Sequence, residues 1–282
     1  MEILRYTAFS TDPDGGNPAG VVLDSSSLTP EEMQLIATEV GYSETAFLAP
    51  RPDGGLDMRY FSPRAEVPFC GHATIAAAVA HAERHGEGER VLQTAAGEVP
   101  VETRRGADGQ LTATLTSVRP RVDPLDSADV DRLLRILGWP HTVLDGDLPP
   151  HVTYAGAQHP VIAVSDRSAM EAMSYDFASL DELTAERGWT TVNVVWRESG
   201  TTFRSRNAFP PGGVVEDPAT GAAAAALGGY LRALGLVEPP VRVTVHQGHE
   251  MGRPSTLLVD VPAGTETGIA VSGNAVPMPG IG

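Results

Sequence analysis

The stretch PFCGHATIAAAVAHAER, residues 68–84, places a thiol, a glycine and an imidazole directly before a helix made largely of alanine. A similar stretch in the second half, EDPATGAAAAALGGYL at residues 216–231, contains no cysteine. Because such helices have no polar face, we expect each to be enclosed by strands. The first N–H groups of a helix lack intrahelical partners and are electropositive, so both helix starts favour a bound carboxylate.

The two stretches belong to an internal repeat. Residues of the same type recur at one constant offset, in the pairs Phe61 and Phe209, Pro63 and Pro211, and Val67 and Val215. Each alanine-rich helix is also followed by a strand that leads to a glycine, in VLQTAAG and VTVHQG. The agreement of turn, helix composition and following strand predicts two similar domains that arose by duplication.

Short segments rich in β-branched and aromatic residues fill both halves between clusters of Gly, Pro, Asp and Asn, and they predict strands. Further helices are predicted between Thr29 and Gly41, over 127–139 and over 180–188. The predicted fold class is α+β, with two pseudo-symmetric domains, each a mixed β-sheet or barrel wrapped around a central alanine-rich helix. The N-terminal domain spans 1–118 and is completed by a C-terminal strand in 266–282, and the C-terminal domain spans 119–265.

Composition excludes several classes of protein. A formal net charge of −16 and scattered arginines argue against nucleic-acid or anionic membrane partners. The chain has neither a run of eighteen apolar residues nor a leader pattern, and its single cysteine fits a reducing cytoplasm, so we expect a cytoplasmic protein. It contains no lysine, which excludes a pyridoxal-phosphate aldimine, a Schiff-base aldolase and a lysine-bearing P-loop.

Five ordered motifs resemble those of the PhzF-like family of phenazine biosynthesis: GNPAGVVL (16–23), SETAFL (43–48), RYFSPRAEVPFCGHATIAAA (59–78), GVVEDPATGAAAAALGGYL (213–231) and QGHEMGRPS (247–255). The resemblance implies the fold of diaminopimelate epimerase and proline racemase, with an active site in the cleft between two domains, and a homodimer. It also implies catalysis without a cofactor, by a proton shift on a small carboxylic acid. The best-known member isomerises a dihydro-hydroxyanthranilate.

Glu44 is the first candidate catalytic residue. Strand alternation places it on the face of Ala46 and Leu48, where a carboxyl among apolar side chains is suited to act as a general acid or base. The pattern alone also fits a glutamate at a strand end that reaches solvent. The catalytic glutamate of the family matches this position, so the resemblance assigns Glu44 that role.

The CGH motif supplies three further candidates. Cys70 stands before a helix, which favours a reactive thiolate, although a small buried residue beside the site is the preferred interpretation. His72 is interpreted as catalytic, as a hydrogen-bond partner or proton relay, and helix capping is the alternative. The backbone N–H groups of Gly71 and His72 are expected to contact substrate. The repeat places Pro218 opposite Cys70, which excludes a racemase mechanism that uses two thiols.

Asp217 alone has the pattern of a helix-capping acid. The resemblance implies that it faces the catalytic glutamate across the cleft, so we predict a partner acid or an orienter of His72. Thr220, Gly221 and Ala222 are predicted to bind substrate at the helix start. The family usually continues Thr-Gly-Ser-Ala-His, but this chain has Ala222 and Ala224 in place of the serine and the histidine. We therefore predict a substrate that differs from the phenazine precursor.

Two loop residues complete the predicted substrate site. Asn17 is either a turn residue or an amide that points at the ligand. Arg253 is either a solvated loop residue or a bidentate partner of a carboxylate. His246 and His249 have no cysteine or ordered acidic ligands near them in sequence, so no metal site is predicted.

The sequence thus predicts a cofactor-independent isomerase of secondary metabolism that moves a proton and a double bond on a small carboxylate-bearing substrate. One alternative is an amino-acid epimerase that uses Glu44 with Asp217 or His72. Another is a non-catalytic protein of the same fold that binds a small molecule.

Overall fold

The computed structural model describes residues 1–279 and divides the chain into two compact units. Unit 1 contains residues 1–116 and the segment from Ser272 onward, and unit 2 contains residues 117–271. The sequence predicts these divisions after residues 118 and 265. The predicted C-terminal strand in 266–282 is Ala270–Pro277, and residues 280–282 of that prediction lie outside the described residues.

The part of unit 1 within residues 1–279 is built from nine strands and two helices. The strands are β1 (Leu4–Ala8), β2 (Asn17–Val22), β3 (Thr45–Pro50), β4 (Leu56–Phe61), β5 (Glu66–Val67), β6 (Gly88–Thr94), β7 (Gly97–Arg105), β8 (Leu111–Thr116) and, from the end of the chain, β17 (Ala270–Pro277). The helices are α1 (Pro30–Val40) and α2 (Gly71–His85). The short strand β5 was not predicted from the sequence.

Eight of these strands close into a barrel. Starting from β1, the ring runs through β2, β3, β4, β6, β7, β8 and β17 and returns to β1. The pairs β2–β3 and β4–β6 are parallel, because a helix connects the strands of each pair. Closure leaves this sheet without the free edges of an open one.

The alanine-rich helix α2 packs against strands on several sides. It contacts β1, β2, β3, β7 and β8, and its residues from His72 to Ala80 are all buried. Methyl side chains allow the strands to approach the helix closely. The prediction of a helix enclosed by a curved sheet is confirmed for this unit.

Helix α1 begins and ends as its sequence predicts. Thr29 and Glu32 form a reciprocal capping box, Pro30 is the first helical residue, and Gly41 ends the helix in a left-handed conformation with φ of 73°. The buried face of α1 packs in a cluster with Phe47 and Phe61.

Unit 2 contains eight strands and four α-helices. The strands are β9 (Arg121–Pro124), β10 (His151–Tyr154), β11 (Gln158–Ala163), β12 (Val192–Arg197), β13 (Thr202–Ala208), β14 (Glu216–Asp217), β15 (Val241–Gln247) and β16 (Ser255–Val261). The helices are α3 (Ser127–Leu137), α4 (Arg167–Glu171), α5 (Phe177–Arg187) and α6 (Gly221–Ala233). Of these, β9, β14 and α4 were not predicted.

The strand pairings of unit 2 repeat those of unit 1 in order and sense. The antiparallel pair β10–β11, the parallel pair β11–β12, the antiparallel pairs β12–β13 and β13–β14, the parallel pair β13–β15 and the antiparallel pair β15–β16 follow one another. The same sequence of pairings leads from β1 to β7. The predicted internal repeat is therefore present in the fold.

Helix α6 occupies the place of α2 in this repeat. It contacts β9, β10, β11 and β16. A Cβ atom on Gly228 would lie 2.8 Å from Val259, and one on Gly229 would lie 2.4 Å from Pro120. The two glycines in the helix interior therefore permit an approach that alanine would block. None of the helices in residues 1–279 has the length and apolar character needed to cross a bilayer.

Candidate functional site

In unit 1, a carboxylate, an imidazole and a thiol converge at the start of α2. Oε2 of Glu44 lies 3.4 Å from Nε2 of His72, and Sγ of Cys70 lies 3.3 Å from Nδ1 of the same ring. Their side chains are mostly buried, with 15% of Glu44 and 7% of His72 exposed. The structure thus brings together Glu44, Cys70, Gly71 and His72, four of the residues proposed from the sequence.

The backbone at this helix start is held by neighbouring hydroxyl groups. Thr74 donates from its Oγ1 to the carbonyl oxygen of Cys70 at 2.6 Å, and the Tyr60 hydroxyl lies 2.6 Å from the same Oγ1. Glu44 immediately precedes β3, and its carbonyl accepts from the N–H of Gly20 at 3.2 Å. Both sides of the cluster are therefore fixed before a ligand binds.

The ring of His72 can link the other two groups in one hydrogen-bonded chain. An Nε2–H group would donate to the Glu44 carboxylate, and the bare Nδ1 would then accept from the Cys70 thiol. Ser43 also lies beside this ring, with Oγ 3.3 Å from Nε2. Such a chain orients the carboxylate and can redistribute a proton without moving any residue.

In unit 2, Asp217 lies in a second polar cluster before α6. The Thr220 hydroxyl donates to Oδ2 of Asp217 at 2.6 Å. Thr220 is the N-cap residue, Gly221 begins the helix and Ala222 follows in its first turn. Asp217, Thr220, Gly221 and Ala222 therefore lie together, as their proximity in sequence requires.

Gln247 organises this second cluster and was not predicted from the sequence. Its Nε2 donates to the carbonyl of Asp217 at 2.6 Å and to Oγ1 of Thr220 at 3.0 Å. Its Oε1 accepts from the N–H of Thr220 at 3.2 Å. One amide side chain thus fixes both the acid and the helix cap. The quoted motif QGHEMGRPS contains this residue, but only the fold shows which groups it meets.

The turn after Gln247 approaches the same segment closely. Gly248 has φ of 75°, and a Cβ atom there would lie 2.7 Å from the carbonyl oxygen of Pro218 and 2.4 Å from that of Arg253. Glycine is therefore required by both conformation and space. At this turn, the loop that contains Arg253 packs closely on the segment that contains Asp217.

The two acids of the EDPATG motif have different partners. The buried carboxylate of Glu216 accepts from Nε of Arg206 at 2.9 Å, and Arg206 also donates to the carbonyls of Met170 and Glu171. Glu216 is therefore part of an anchor that holds β14 in the unit. The carboxylate of Asp217, the next residue, instead accepts a hydrogen bond from Thr220, the N-cap residue of α6.

A buried polar chain leads from His159 to the strand that pairs with β14. The Nδ1 of His159 lies 2.8 Å from the Thr191 hydroxyl, which donates to Oδ1 of Asn207 at 2.7 Å. Asn207 in turn lies opposite Asp217 in the pairing of β13 and β14. Complete burial lowers the pKa of His159 to about 3, so its ring is neutral at pH 7.

The remaining predicted site residues lie in the loops that the sequence indicated. Asn17 begins β2 and is buried, and Arg253 follows the turn at Gly248. Their contact with substrate stays a prediction. His246 and His249 lie with their rings 6.0 Å apart, and the potential metal ligands that come together in residues 1–279 are instead Glu44, Cys70 and His72.

The chain is similar over most of its length to proteins of one known family. The family model described as phenazine biosynthesis-like protein matches residues 6–280. The chain belongs to this family. It is 33% identical over 275 residues to the trans-2,3-dihydro-3-hydroxyanthranilate isomerase of Pseudomonas fluorescens, covering 95% of this chain and 94% of that protein. It is 31% identical over 287 residues to the uncharacterized isomerase YfhB of Bacillus subtilis strain 168, covering 98% and 96%.

Solved structures give the same result. The PhzF-family phenazine biosynthesis protein of Bacillus anthracis matches with a TM-score of 0.87 and 26% identity, covering 99% of this chain and 98% of that one. A hydroxyproline epimerase of Agrobacterium vitis matches with a TM-score of 0.65 at 15% identity, covering 98% and 90%, and shares the fold. The predictions of the PhzF-like family, of the epimerase-like fold and of an isomerase are confirmed.

Proposed function

We propose that this chain is a cofactor-independent isomerase that moves a proton, and with it a double bond, on a small carboxylic acid. The observation that carries the proposal is the Glu44 carboxylate, mostly buried and 3.4 Å from the His72 imidazole at the start of α2. A carboxylate in that setting is suited to general acid and base catalysis on carbon. The isomerase names of the family relatives support the same class of reaction.

In the proposed reaction, Glu44 removes a proton from a carbon activated by the substrate. The electron pair left behind delocalises over the adjacent unsaturated system, and the Glu44 carboxyl group returns the proton to the far end of that system. His72 holds the carboxylate in place throughout. No atom or electron is gained or lost overall, so the step needs no co-reactant.

A single carboxyl group on one face of the substrate favours a 1,3-shift over inversion. Inversion of a stereocentre requires an acid and a base on opposite faces of the carbon. Pro218 stands where the repeat would place a second thiol, and its side chain has no proton to exchange. We therefore propose isomerisation rather than epimerisation.

We propose that the substrate is a small acid other than the compound named for the Pseudomonas fluorescens relative. Ala222 and Ala224 occupy the first turn of α6, so this helix start offers methyl groups where the family usually has a hydroxyl and an imidazole. Losing one such hydrogen bond costs about 1 kcal/mol of binding energy. The backbone N–H groups remain to bind a carboxylate. A cytoplasmic homodimer with a role in secondary metabolism also stays a prediction.

Proton NMR in deuterated water tests the proposal. The purified chain is incubated with a panel of small unsaturated and α-amino carboxylic acids, alongside the Glu44→Gln variant. We expect deuterium uptake and a shifted double bond in at least one unsaturated acid, both dependent on Glu44. Uptake at an α-carbon with a change of optical rotation would instead identify an epimerase. Ligand binding with no uptake in any acid would identify a binding protein.

A further inference from the structure

The cluster at the start of α2 also has the chemistry of a transition-metal site. Glu44, Cys70 and His72 offer a carboxylate oxygen, a thiol sulfur and an imidazole nitrogen, and these atoms all lie within 4.8 Å of one another. Thiolate, imidazole and carboxylate are the ligands that zinc takes in proteins. Magnesium and calcium prefer sites built from oxygen alone. The donor set therefore favours zinc and chemically similar divalent cations.

The separations between these atoms fit a tetrahedral ion. Bond lengths of about 2.3 Å to sulfur and about 2.0–2.2 Å to nitrogen and oxygen place the nitrogen about 3.4 Å from the oxygen and about 3.6 Å from the sulfur. The observed separations are 3.4 Å between Nε2 of His72 and Oε2 of Glu44, and 3.9 Å between the same Nε2 and Sγ of Cys70. A shift of about 0.3 Å in the sulfur would bring its separation from Nε2 to that value, and all three ligand atoms already lie within 4.8 Å of one another.

The ligand-bearing segments are already held in position. Thr74 and Tyr60 fix the backbone of Cys70, and the N–H of Gly20 holds that of Glu44. Binding would therefore order little of the chain, which favours affinity. Three protein ligands leave a fourth tetrahedral position open for water or for a substrate carboxylate.

We propose that Glu44, Cys70 and His72 form an inhibitory binding site for zinc and related divalent cations. The bound ion would coordinate the Glu44 carboxylate, which the isomerase needs as a base, and the His72 ring, which orients that carboxylate. The inhibition rests on the proposed function, but the binding itself does not. Metal binding therefore offers a control of activity through residues that the reaction also uses.

Cobalt serves as the spectroscopic probe, because a Co²⁺–thiolate bond gives a sulfur-to-metal charge-transfer band in the near ultraviolet. The full-length wild-type protein is titrated with Co²⁺, and the bound ion is then displaced with Zn²⁺. We expect one thiolate-bearing site per chain, since Cys70 is the only cysteine. Mg²⁺ at the same concentration should displace nothing. Absence of a thiolate band in the wild-type protein would overturn the proposal.

Variants assign the ligands. Cys70→Ser should abolish the charge-transfer band, and Glu44→Gln should weaken Zn²⁺ binding at least about tenfold, since even groups that only support metal ligands contribute about 10- to 100-fold in affinity. The matched control is His81→Gln, because His81 and His85 are histidines of unit 1 outside the proposed site, with rings 4.4 Å apart. This variant should bind like wild type. Unchanged Zn²⁺ affinity in Cys70→Ser, or loss of binding in His81→Gln, would refute the assignment.

The metal proposal and the proposed function can fail separately. A thiolate–cobalt band in a protein that catalyses no Glu44-dependent proton exchange would support the metal site and refute the isomerase reaction. Proton exchange that is unaffected by saturating Zn²⁺ would refute the inhibitory site while leaving the isomerase proposal intact.

Discussion

The starts of α2 and α6 occupy matching places in the repeat, yet they are built differently. At α2, three side chains with exchangeable protons converge, and the backbone below them is held by the pair Tyr60 and Thr74. At α6, the acid Asp217 is tied into a network with Thr220 and Gln247. The two helix starts therefore share a position in the repeat but carry different functional side chains.

In both places a side chain binds the carbonyl of a residue just before the helix. Thr74 binds that of Cys70 from within its own helix, whereas Gln247 reaches that of Asp217 from strand β15. Under the proposed function, the first arrangement leaves side chains to act on a substrate, and the second fixes an acid and its cap. We therefore expect substitutions at α2 to affect chemistry most strongly, and substitutions at α6 to affect both chemistry and stability.

Replacing Glu44 should have the largest effect. Glu44→Gln keeps the shape of the side chain but cannot accept a proton, so we expect turnover to fall by about 10³-fold, within the range for loss of a general base. The measurement is kcat on the substrate that the NMR panel identifies. Glu66→Gln is the control, because Glu66 is an exposed partner of Arg59 in the same unit, and it should retain wild-type turnover.

Replacing Asp217 comes next. In Asp217→Asn, the amide oxygen can still accept from the Thr220 hydroxyl, but the residue can no longer exchange a proton. Because Glu44 alone moves the proton in the proposed reaction, we expect kcat/KM to fall by less than about tenfold, with the free energy of unfolding changed by no more than about 1 kcal/mol. A fall of about 10²-fold or more would mean that Asp217 also exchanges a proton with the substrate.

Removing the Gln247 amide tests the network behind Asp217. Gln247→Ala leaves the Asp217 carbonyl and the Thr220 N–H without this partner, so we expect unfolding free energy to fall by about 1–3 kcal/mol. Urea denaturation measures the loss. Gln93→Ala removes an exposed amide bonded to Glu98 in unit 1, and it should change stability by less than about 0.5 kcal/mol. Equal losses in the two variants would contradict the assigned role of Gln247.

We expect low pH to reduce the folding stability of unit 2 because of the buried ring of His159. Folding lowers the pKa of this buried ring to about 3 from 6.5, so the unfolded chain binds more protons between those values. Stability is therefore retained above pH 6.5 and falls as the pH drops from about 6.5 to 3, by about 1.4 kcal/mol per pH unit. His159→Asn should flatten this dependence in urea titrations. An unchanged slope would contradict a neutral buried ring.

The elements that carry clear local signals were predictable from the sequence. Thr29, Pro30 and Gly41 mark α1 because capping and helix termination depend on neighbouring residues. The alanine-rich helices followed from composition, and the matching succession of strands and helix in the two halves followed from the repeat. The two-residue strands β5 and β14 were missed because so short a segment has no periodicity.

Residues of the candidate site were predictable only where they belong to a motif of the family. Glu44, His72 and Asp217 were identified through the family resemblance, since their local patterns also fit structural roles. Gln247 was missed because its partners lie about thirty residues away and its role depends on the pairing of β15 beside β13. Likewise, no spacing in the sequence could indicate that Glu44 meets Cys70 and His72, because the three strands β3, β4 and β5 separate them.

The proposed role of Glu44 is tested by the rate at which deuterium from solvent enters the substrate, compared between wild type and Glu44→Gln. We expect uptake with a displaced double bond in the wild-type reaction, and a rate lower by about 10³-fold in the variant. Equal rates in the two proteins would show that Glu44 does not move the proton, and would refute the proposed reaction.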